Sequence, residues 1–266
     1  QILESASGQK SNECSMEVVV NRVRELLLGK ILLKNVLPLG IKVVGCLLYR
    51  QDKSKWLMIQ KFELANLNKG ENGITPILKL SYHNLEPPLK SCFSYCSLYP
   101  KDFKIEKETL IRLWIAQGYV VSRGNGQSVE DAGEEYFLVL LQRCFFQDVE
   151  KYESGEIKSF KLHDLMHDVA LEVSNKDICP TSSFTGDMDK VVRHVSLTRK
   201  QYANFDLINA HVRTILIIRS LISASDYTVL PCLEKYRRLR TLNLSCHDMK
   251  ILPASIGKLI HLRLCE

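Results

Sequence analysis

The chain has 266 residues, of which 45% are hydrophobic and 25% charged, as expected for a soluble globular protein large enough to form a real core. The net charge of +6 suggests a nucleic-acid partner, but residues 76–175 carry 11 basic and 15 acidic side chains, against 11 and 7 in 1–75 and 14 and 8 in 176–266. A membrane helix is excluded, because no stretch approaches the roughly 20 uninterrupted apolar residues that one needs.

Nine cysteines are scattered mostly through apolar runs, without a CxxC pair. This odd number predicts reduced core thiols, and therefore a reducing compartment, the cytoplasm, rather than a disulfide framework. Cys92 and Cys96 could together bind a metal, but they lie among apolar and aromatic residues of an amphipathic helix, so we expect core packing.

The N-terminus is predicted to be disordered or irregular over 1–16. It is polar and has neither an initiator Met nor a signal-peptide core, which predicts a chain entered partway, a fragment of a longer protein. Residues 17–73 are predicted to form a helical-bundle subdomain, because apolar positions recur at three- and four-residue steps. Within it, the proline of LPLGIKVVGCLLY, Pro38, is expected to start a new helix.

Residues 74–176 show a different pattern of short amphipathic helices. Four such helices precede a predicted hairpin that turns at Ser154-Gly155, and a last helix is predicted to start at Asp164. Helices, a two-stranded wing and a closing helix, in this order, predict a winged-helix domain.

The last part of the chain is predicted to be a linker over 177–190 and leucine-rich repeats over 191–266. A frame of apolar-x-x-apolar-x-apolar recurs there, and its third occurrence continues with the strand-plus-return pattern of such repeats. The predicted fold is therefore mainly α with a small β-wing: a helical-bundle remnant, a winged-helix domain and the truncated start of an open leucine-rich-repeat solenoid. The frame occurs at Val192-Val195-Leu197, Val212-Ile215-Ile217 and Leu239-Leu242-Leu244.

The stretch LHDLMHDVA contains two histidines, His163 and His167, one helical turn apart. This spacing could hold a zinc ion with Asp164 as base, which leaves a metal-dependent hydrolase open as an alternative. No third ligand follows at a recognisable spacing, so no metal site is predicted. Two other interpretations remain: Asp164 caps a helix whose histidines lie at the edge of the core, or the helix is a polar sensor of phosphate oxygens.

A winged helix also leaves DNA binding open as a second alternative. The helix IEKETLIRLWIAQG offers Lys107 and Arg112 as its cations, and the surrounding segment is acidic, so we expect no nucleic-acid partner. The basic stretch EKYRRLR at 234–240 is expected to be an interaction surface, or to dock onto the acidic winged helix of the same chain.

Four stretches resemble plant intracellular disease-resistance proteins of the nucleotide-binding, leucine-rich-repeat class, over roughly 25–266. LPLGIKVVGCLLY is similar to the GLPL region of that class, with Val36 in place of its leading Gly, and Met166-His167-Asp168 is similar to its MHD motif. LRTLNLSCHDMKILPASIGKLIHLR resembles one of its repeats, and LKSCFSYCSLYPKDFKIEKETLIRLWIAQGYV is typical of its non-Toll, coiled-coil branch.

The resemblance implies a defence receptor that is off with ADP bound and on with ATP bound. It places Pro38 at the adenine and His167 at the ADP phosphates, and it gives Asp168 and Met166 a role in holding subdomains closed. It also implies protein partners, bound through the repeats and through the nucleotide-binding and N-terminal domains. The sequence has no GxxxxGK[ST] loop and no magnesium-binding Asp pair, so we expect no catalytic residue, and weak nucleotide binding by this chain alone.

Overall fold

In the computed structural model, the described residues are 37–48, 75–124, 126–174, 176–183, 191–198, 201, 208–218, 233–243 and 254–266. They form two compact units. The first contains 37–48, 75–90 and 138–147, and the second contains the others. The predicted irregular N-terminus, much of the predicted helical-bundle subdomain and Leu244 lie outside the described residues.

The described residues combine helices with two sheets, so the fold is mixed α and β, and the prediction of a mainly α fold with a small wing underestimated the strands. None of the described helices is long and apolar enough to cross a membrane. The helices are α1 (Leu37–Leu48), α2 (Thr75–His83), α3 (Pro87–Tyr95), α4 (Lys107–Gln117), α5 (Val129–Gln142) and α6 (Asp164–Val173). The strands are β1 (Ile105–Glu106), β2 (Phe146–Lys151), β3 (Ile157–Leu162), β4 (Ile178–Cys179), β5 (His194–Thr198), β6 (Thr214–Ile218), β7 (Thr241–Asn243) and β8 (Leu264–Cys265).

In the first unit, α1 packs against α2. Pro38 lies in the first turn of α1, where a proline is tolerated because the backbone N–H groups have no partner within the helix. Leu39, Val43 and Leu47 are buried at steps of four residues and form the packed stripe of the helix. The helix therefore starts one residue before the proline that was predicted to start it.

The second unit contains most of a winged helix. Its three-stranded sheet has the order β1-β3-β2, with Ile105 of β1 opposite Phe160 of β3 in an antiparallel pair. The predicted wing turn is confirmed: Gly155 has a φ of 88° and its N–H donates to the carbonyl of Tyr152 over 2.9 Å. The sequence pattern missed β1: the helix predicted from IEKETLIRLWIAQG starts two residues later than expected, at Lys107, and Ile105 and Glu106 form the strand.

A five-stranded parallel sheet, β4 to β8 in chain order, makes up the rest of the second unit. His194, Thr214, Thr241 and Leu264 lie side by side as one row across four of its strands. The frame residues that follow them in β5, β6 and β7 are buried in one apolar cluster, as the repeating pattern predicts. That cluster includes Val195, Leu197, Ile215, Ile217, Leu242 and Leu259.

Candidate functional site

The helix α6 carries the motif Met166-His167-Asp168 and starts at the predicted residue, Asp164. The predicted cap is wrong, however. His163 is the N-cap residue, and its Nδ1 accepts a hydrogen bond from the N–H of Leu165 over 3.3 Å. Asp164 lies instead in the first turn and is exposed, where its negative charge suits the positive end of the helix dipole.

His167 is buried, with 5% of its surface exposed. Its Nε2 lies 2.8 Å from the carbonyl oxygen of Tyr99. A carbonyl accepts only, so Nε2 carries the hydrogen and donates it. The other ring nitrogen, Nδ1, is buried and has no hydrogen-bond partner among the described residues. The backbone therefore fixes the orientation of the ring and leaves one polar atom unused.

The neighbours of His167 in the motif have contrasting surroundings. The side chain of Met166 is fully buried. Asp168 is exposed and forms an ion pair of 2.6 Å with Lys101, which is exposed to a similar extent. Because both charges remain in water, this pair contributes at most about 1 kcal/mol to stability. The motif thus has a buried anchor, a partly paired imidazole and a surface carboxylate in succession.

The geometry gives the zinc alternative little support. Each histidine of the predicted pair has one nitrogen engaged with the backbone, His163 with the N–H of Leu165 and His167 with the carbonyl of Tyr99. Among the described residues, no group of three or more His, Cys, Asp or Glu side chains could hold a metal ion.

The DNA-binding alternative rests on the cations of α4, but the helix that directly precedes the wing is α5. Both cations of α4 already face carboxylates, Lys107 that of Glu134 and Arg112 that of Glu266. The α5 sequence VEDAGEEYFLVLLQ contains four acidic residues and no Lys or Arg. A helix of this charge repels phosphates, which disfavours DNA binding.

Cys92 and Cys96 are both buried, as expected for core residues. The Cys96 thiol donates to the Cys92 carbonyl over 3.4 Å. Burial raises the pKa of both thiols, so they stay protonated at neutral pH.

A second polar site, which the sequence did not reveal, lies where the winged helix meets the parallel sheet. At its centre is His194, with 4% of its surface exposed. Its Nε2 is 2.9 Å from the hydroxyl of Tyr119 and its Nδ1 is 2.9 Å from that of Thr214. Tyr95 also donates its hydroxyl hydrogen to Thr214 over 3.1 Å. Desolvation, with help from the positive charges of nearby arginines, lowers the pKa of His194 to about 3.

Arginines beside this site contact the C-terminal end of α4. Arg240 donates to the carbonyl of Gln117 over 2.6 Å, and Arg263 donates to that of Ala116 over 3.4 Å. Gln117 in turn donates through its side-chain amide to Thr241 over 2.9 Å. The carbonyls at a helix C-terminus are unpaired and carry partial negative charge, so they suit a guanidinium.

The basic C-terminal part therefore does contact the winged helix. The contact does not, however, pair basic side chains of the C-terminal part with acidic side chains of the winged helix, as the net charges suggested. Arg240 reaches a backbone carbonyl, and the ion pair between Arg112 and Glu266 has the opposite polarity. One sequence signal could have located this contact: an arginine directly precedes each residue of the row in β5 to β8, and the last two of these arginines contact α4. The arginines are Arg193, Arg213, Arg240 and Arg263.

Comparison with known proteins connects this geometry with a family. Residues 98–170, which run from the end of the 3-10 turn after α3 into α6 and include His167, match the family described as the winged helix domain of disease resistance proteins. The chain is 36% identical over 225 residues to disease resistance protein RGA2 of Solanum bulbocastanum. It is 36% and 37% identical, over 239 and 235 residues, to the putative disease resistance proteins RGA1 and RGA4 of the same plant.

The chain belongs to the plant disease resistance proteins. The three alignments cover 84%, 89% and 87% of this chain, but only 21%, 22% and 21% of the relatives. The chain thus spans about a fifth of the length of these relatives. The matched winged-helix segment contains Met166, His167 and Asp168 together with Lys101 and the Tyr99 carbonyl, so the motif and its hydrogen-bond and ion-pair partners lie in the recognised domain.

Proposed function

We propose that this chain is the ADP-sensing, autoinhibitory part of a nucleotide-dependent switch in a plant defence receptor. The observation that carries the proposal is the unused Nδ1 of His167. A buried nitrogen without a hydrogen-bond partner lowers the free energy of unfolding by about 1–3 kcal/mol. A native site that keeps such a nitrogen calls for an explanation, such as a ligand.

A phosphate group is the ligand that fits this nitrogen best. In an imidazolium both nitrogens donate, so Nε2 can keep its bond to the Tyr99 carbonyl while Nδ1 donates to a phosphate oxygen. The carbonyl fixes the ring in advance, so little further ordering of the side chain is needed when the ligand arrives. In this account His167 positions the phosphates of ADP, and the Asp168 ion pair with Lys101 tethers α6 at the surface.

The proposal includes no catalysis. The 266 residues contain no phosphate loop and no magnesium-binding Asp pair, so the groups that stabilise phosphoryl transfer have to come from elsewhere in the receptor. Pro38, in the first turn of α1, is proposed to contact the adenine side of the nucleotide.

The parallel sheet is proposed to be the start of the leucine-rich repeats, through which protein partners would bind. Its strands follow one another in chain order, and the middle residues of the three predicted frames, Val195, Ile215 and Leu242, lie in β5, β6 and β7, as expected of a solenoid. The proposed location is the cytoplasm, which the free state of the six described cysteines supports.

The test uses a chimera in which this chain replaces the aligned segment of disease resistance protein RGA2 of Solanum bulbocastanum. Calorimetric titration with ADP should show tight binding by the chimera and little or none by the isolated chain. In the chimera, His167→Ala should weaken ADP binding at least tenfold, because the phosphate loses its donor. Asp164→Ala, at an exposed position three residues away, is the matched control and should leave affinity unchanged. Submicromolar binding by the isolated chain, or an unaffected His167→Ala chimera, would contradict the proposal.

A further inference from the structure

Two cysteines of the first unit lie close together although 98 positions separate them in sequence. Cys46 is in α1, and Cys144 follows the C-terminal end of α5. Their Sγ atoms are 3.5 Å apart, and both side chains are partly exposed. A disulfide requires a sulfur–sulfur distance of about 2.05 Å, so the two sulfur atoms have to approach each other by about a further 1.5 Å.

The backbone holds Cys144 in a defined turn. Its φ is 62°, in the left-handed region, and its N–H donates to the carbonyl of Leu141 over 2.9 Å. The preceding residue, Arg143, is anchored through its guanidinium to the carbonyls of Ser81 and Asn84, over 3.3 and 3.1 Å. A non-glycine residue in this conformation is uncommon, and here the neighbouring contacts keep the thiol beside α1.

The two thiols differ in acidity. The hydrogen bond between the two thiols and the positive charge of Lys42 lower the pKa of Cys144 to about 7, against the opposing effect of burial. The same hydrogen bond and burial raise the pKa of Cys46. The lowered pKa favours Cys144 as the nucleophile and Cys46 as the resolving thiol.

The other described cysteines lack this combination. Cys265 is the most exposed of them, yet desolvation and the charge of Glu266 raise its pKa. Burial likewise raises the pKa of Cys179. Exposure alone would favour oxidation of Cys265, whereas thiolate character and a neighbouring thiol favour Cys144.

We propose that Cys46 and Cys144 are a peroxide-sensitive thiol pair that forms a disulfide between α1 and the end of α5. In the first step the Cys144 thiolate attacks hydrogen peroxide, the O–O bond breaks, and uptake of one proton gives a sulfenic acid and water. In the second, the Cys46 sulfur attacks the sulfenic sulfur, the S–O bond breaks, and a second water leaves with the Cys46 proton. Two thiols are oxidised to a disulfide as one peroxide is reduced to two waters. This chemistry is independent of the proposed nucleotide site.

The first test is made on the unmodified chain, reduced and then treated with one equivalent of hydrogen peroxide at pH 7.5 under native conditions. After the free thiols are alkylated, peptide mass spectrometry should find the Cys46–Cys144 link as the main product, and dithiothreitol should remove it. The rate should rise about tenfold from pH 6 to pH 8, as the Cys144 thiolate forms. Oxidation that falls mainly on Cys265, or a link between other cysteines, would overturn the proposal.

Serine variants test the order of the two steps. In Cys46→Ser the oxidation should stop at the sulfenic acid of Cys144, which dimedone labels, whereas in Cys144→Ser the remaining Cys46 should stay reduced. Cys265→Ser is the control and should form the link as the wild type does. Equal dimedone labelling in wild type and Cys46→Ser would overturn the assignment of Cys46 as the resolving thiol. Circular dichroism of the reduced variants monitors folding, and the mapping in the wild type stands without them.

Discussion

Two buried histidines of the second unit have nearly equal exposure but differ in how many of their ring nitrogens have a hydrogen-bond partner. His194 uses both ring nitrogens within the chain, with Tyr119 on one side and Thr214 on the other. His167 uses one nitrogen for the Tyr99 carbonyl and leaves the other without a partner among the described residues. Burial alone therefore does not distinguish the two histidines, but the number of ring nitrogens with a hydrogen-bond partner does, and our proposal for His167 rests on that difference.

The difference predicts opposite consequences for mutation. A substitution at His194 removes contacts between the winged helix and the parallel sheet, so its cost is structural. A substitution at His167 that keeps a donor to the Tyr99 carbonyl removes little from the chain itself, so its cost appears in ligand binding. The predictions below test this division, from the largest expected effect on stability to the smallest.

The largest loss is expected for His194→Leu. Leucine cannot hydrogen-bond with the hydroxyls of Tyr119 and Thr214, so the free energy of unfolding should fall by about 3 kcal/mol. Urea unfolding at pH 7.5 measures this, with the exposed His211→Leu as control. A loss below about 1 kcal/mol would show that the histidine is not a structural element of this contact.

The pH dependence of stability should also report His194. Its pKa is about 3 in the folded chain and about 6.5 when unfolded, so its contribution is fully present above pH 6.5 and is lost as the pH falls toward 3. By pH 5 this loss amounts to about 2 kcal/mol. In His194→Gln the free energy of unfolding should drop by about that much less between pH 7 and pH 5. Equal drops in both proteins would contradict the lowered pKa.

A smaller effect is expected for Arg240→Met, which removes the hydrogen bond to the carbonyl of Gln117. Bonds of this charge-assisted kind contribute about 1.5 kcal/mol, and the methionine retains most of the apolar stem. The exposed Arg238→Met is the matched control and should change the urea midpoint little. If both variants unfold at the wild-type midpoint, the end of α4 does not depend on the guanidinium.

The smallest effect on stability is expected for Asp168→Asn. Its ion pair with Lys101 is exposed on both sides, so the free energy of unfolding should fall by about 0.5 kcal/mol or less, and less still in 1 M salt. Thermal unfolding at low and high salt measures it. A larger loss that salt does not reduce would mean that Asp168 stabilises the winged helix by another contact.

The sequence predicted well those features that depend on local pattern. The helix start at Asp164, the wing turn at Gly155 and the strand frames follow from capping, turn and periodicity rules. It predicted the wrong cap, because an imidazole nitrogen at His163 accepts the hydrogen bond that a carboxylate was expected to take. It missed β1, because two residues are too few to show alternation.

The candidate site was predicted only in part, because some of its contacts depend on local sequence pattern and others join residues far apart in sequence. The motif residues were found from their spacing, but the carbonyl that orients His167 is 68 positions away in sequence. The network around His194 joins Tyr95, Tyr119 and Thr214 across up to 119 positions, and no local pattern specifies such contacts. The arginine that precedes β5, β6, β7 and β8 was the available signal, because it recurs with the repeat.

The most direct test of the account compares His167→Gln with His194→Gln, in ADP affinity of the chimera and in unfolding of the isolated chain. Glutamine at 167 can still donate to the Tyr99 carbonyl but cannot become a cation, so ADP affinity should fall at least tenfold while the free energy of unfolding changes by less than about 0.5 kcal/mol. Glutamine at 194 should leave ADP affinity unchanged and mainly alter the pH dependence of stability. Unchanged ADP affinity in His167→Gln, or an equal loss in both variants, would contradict the central claim that His167 is the ligand-facing histidine.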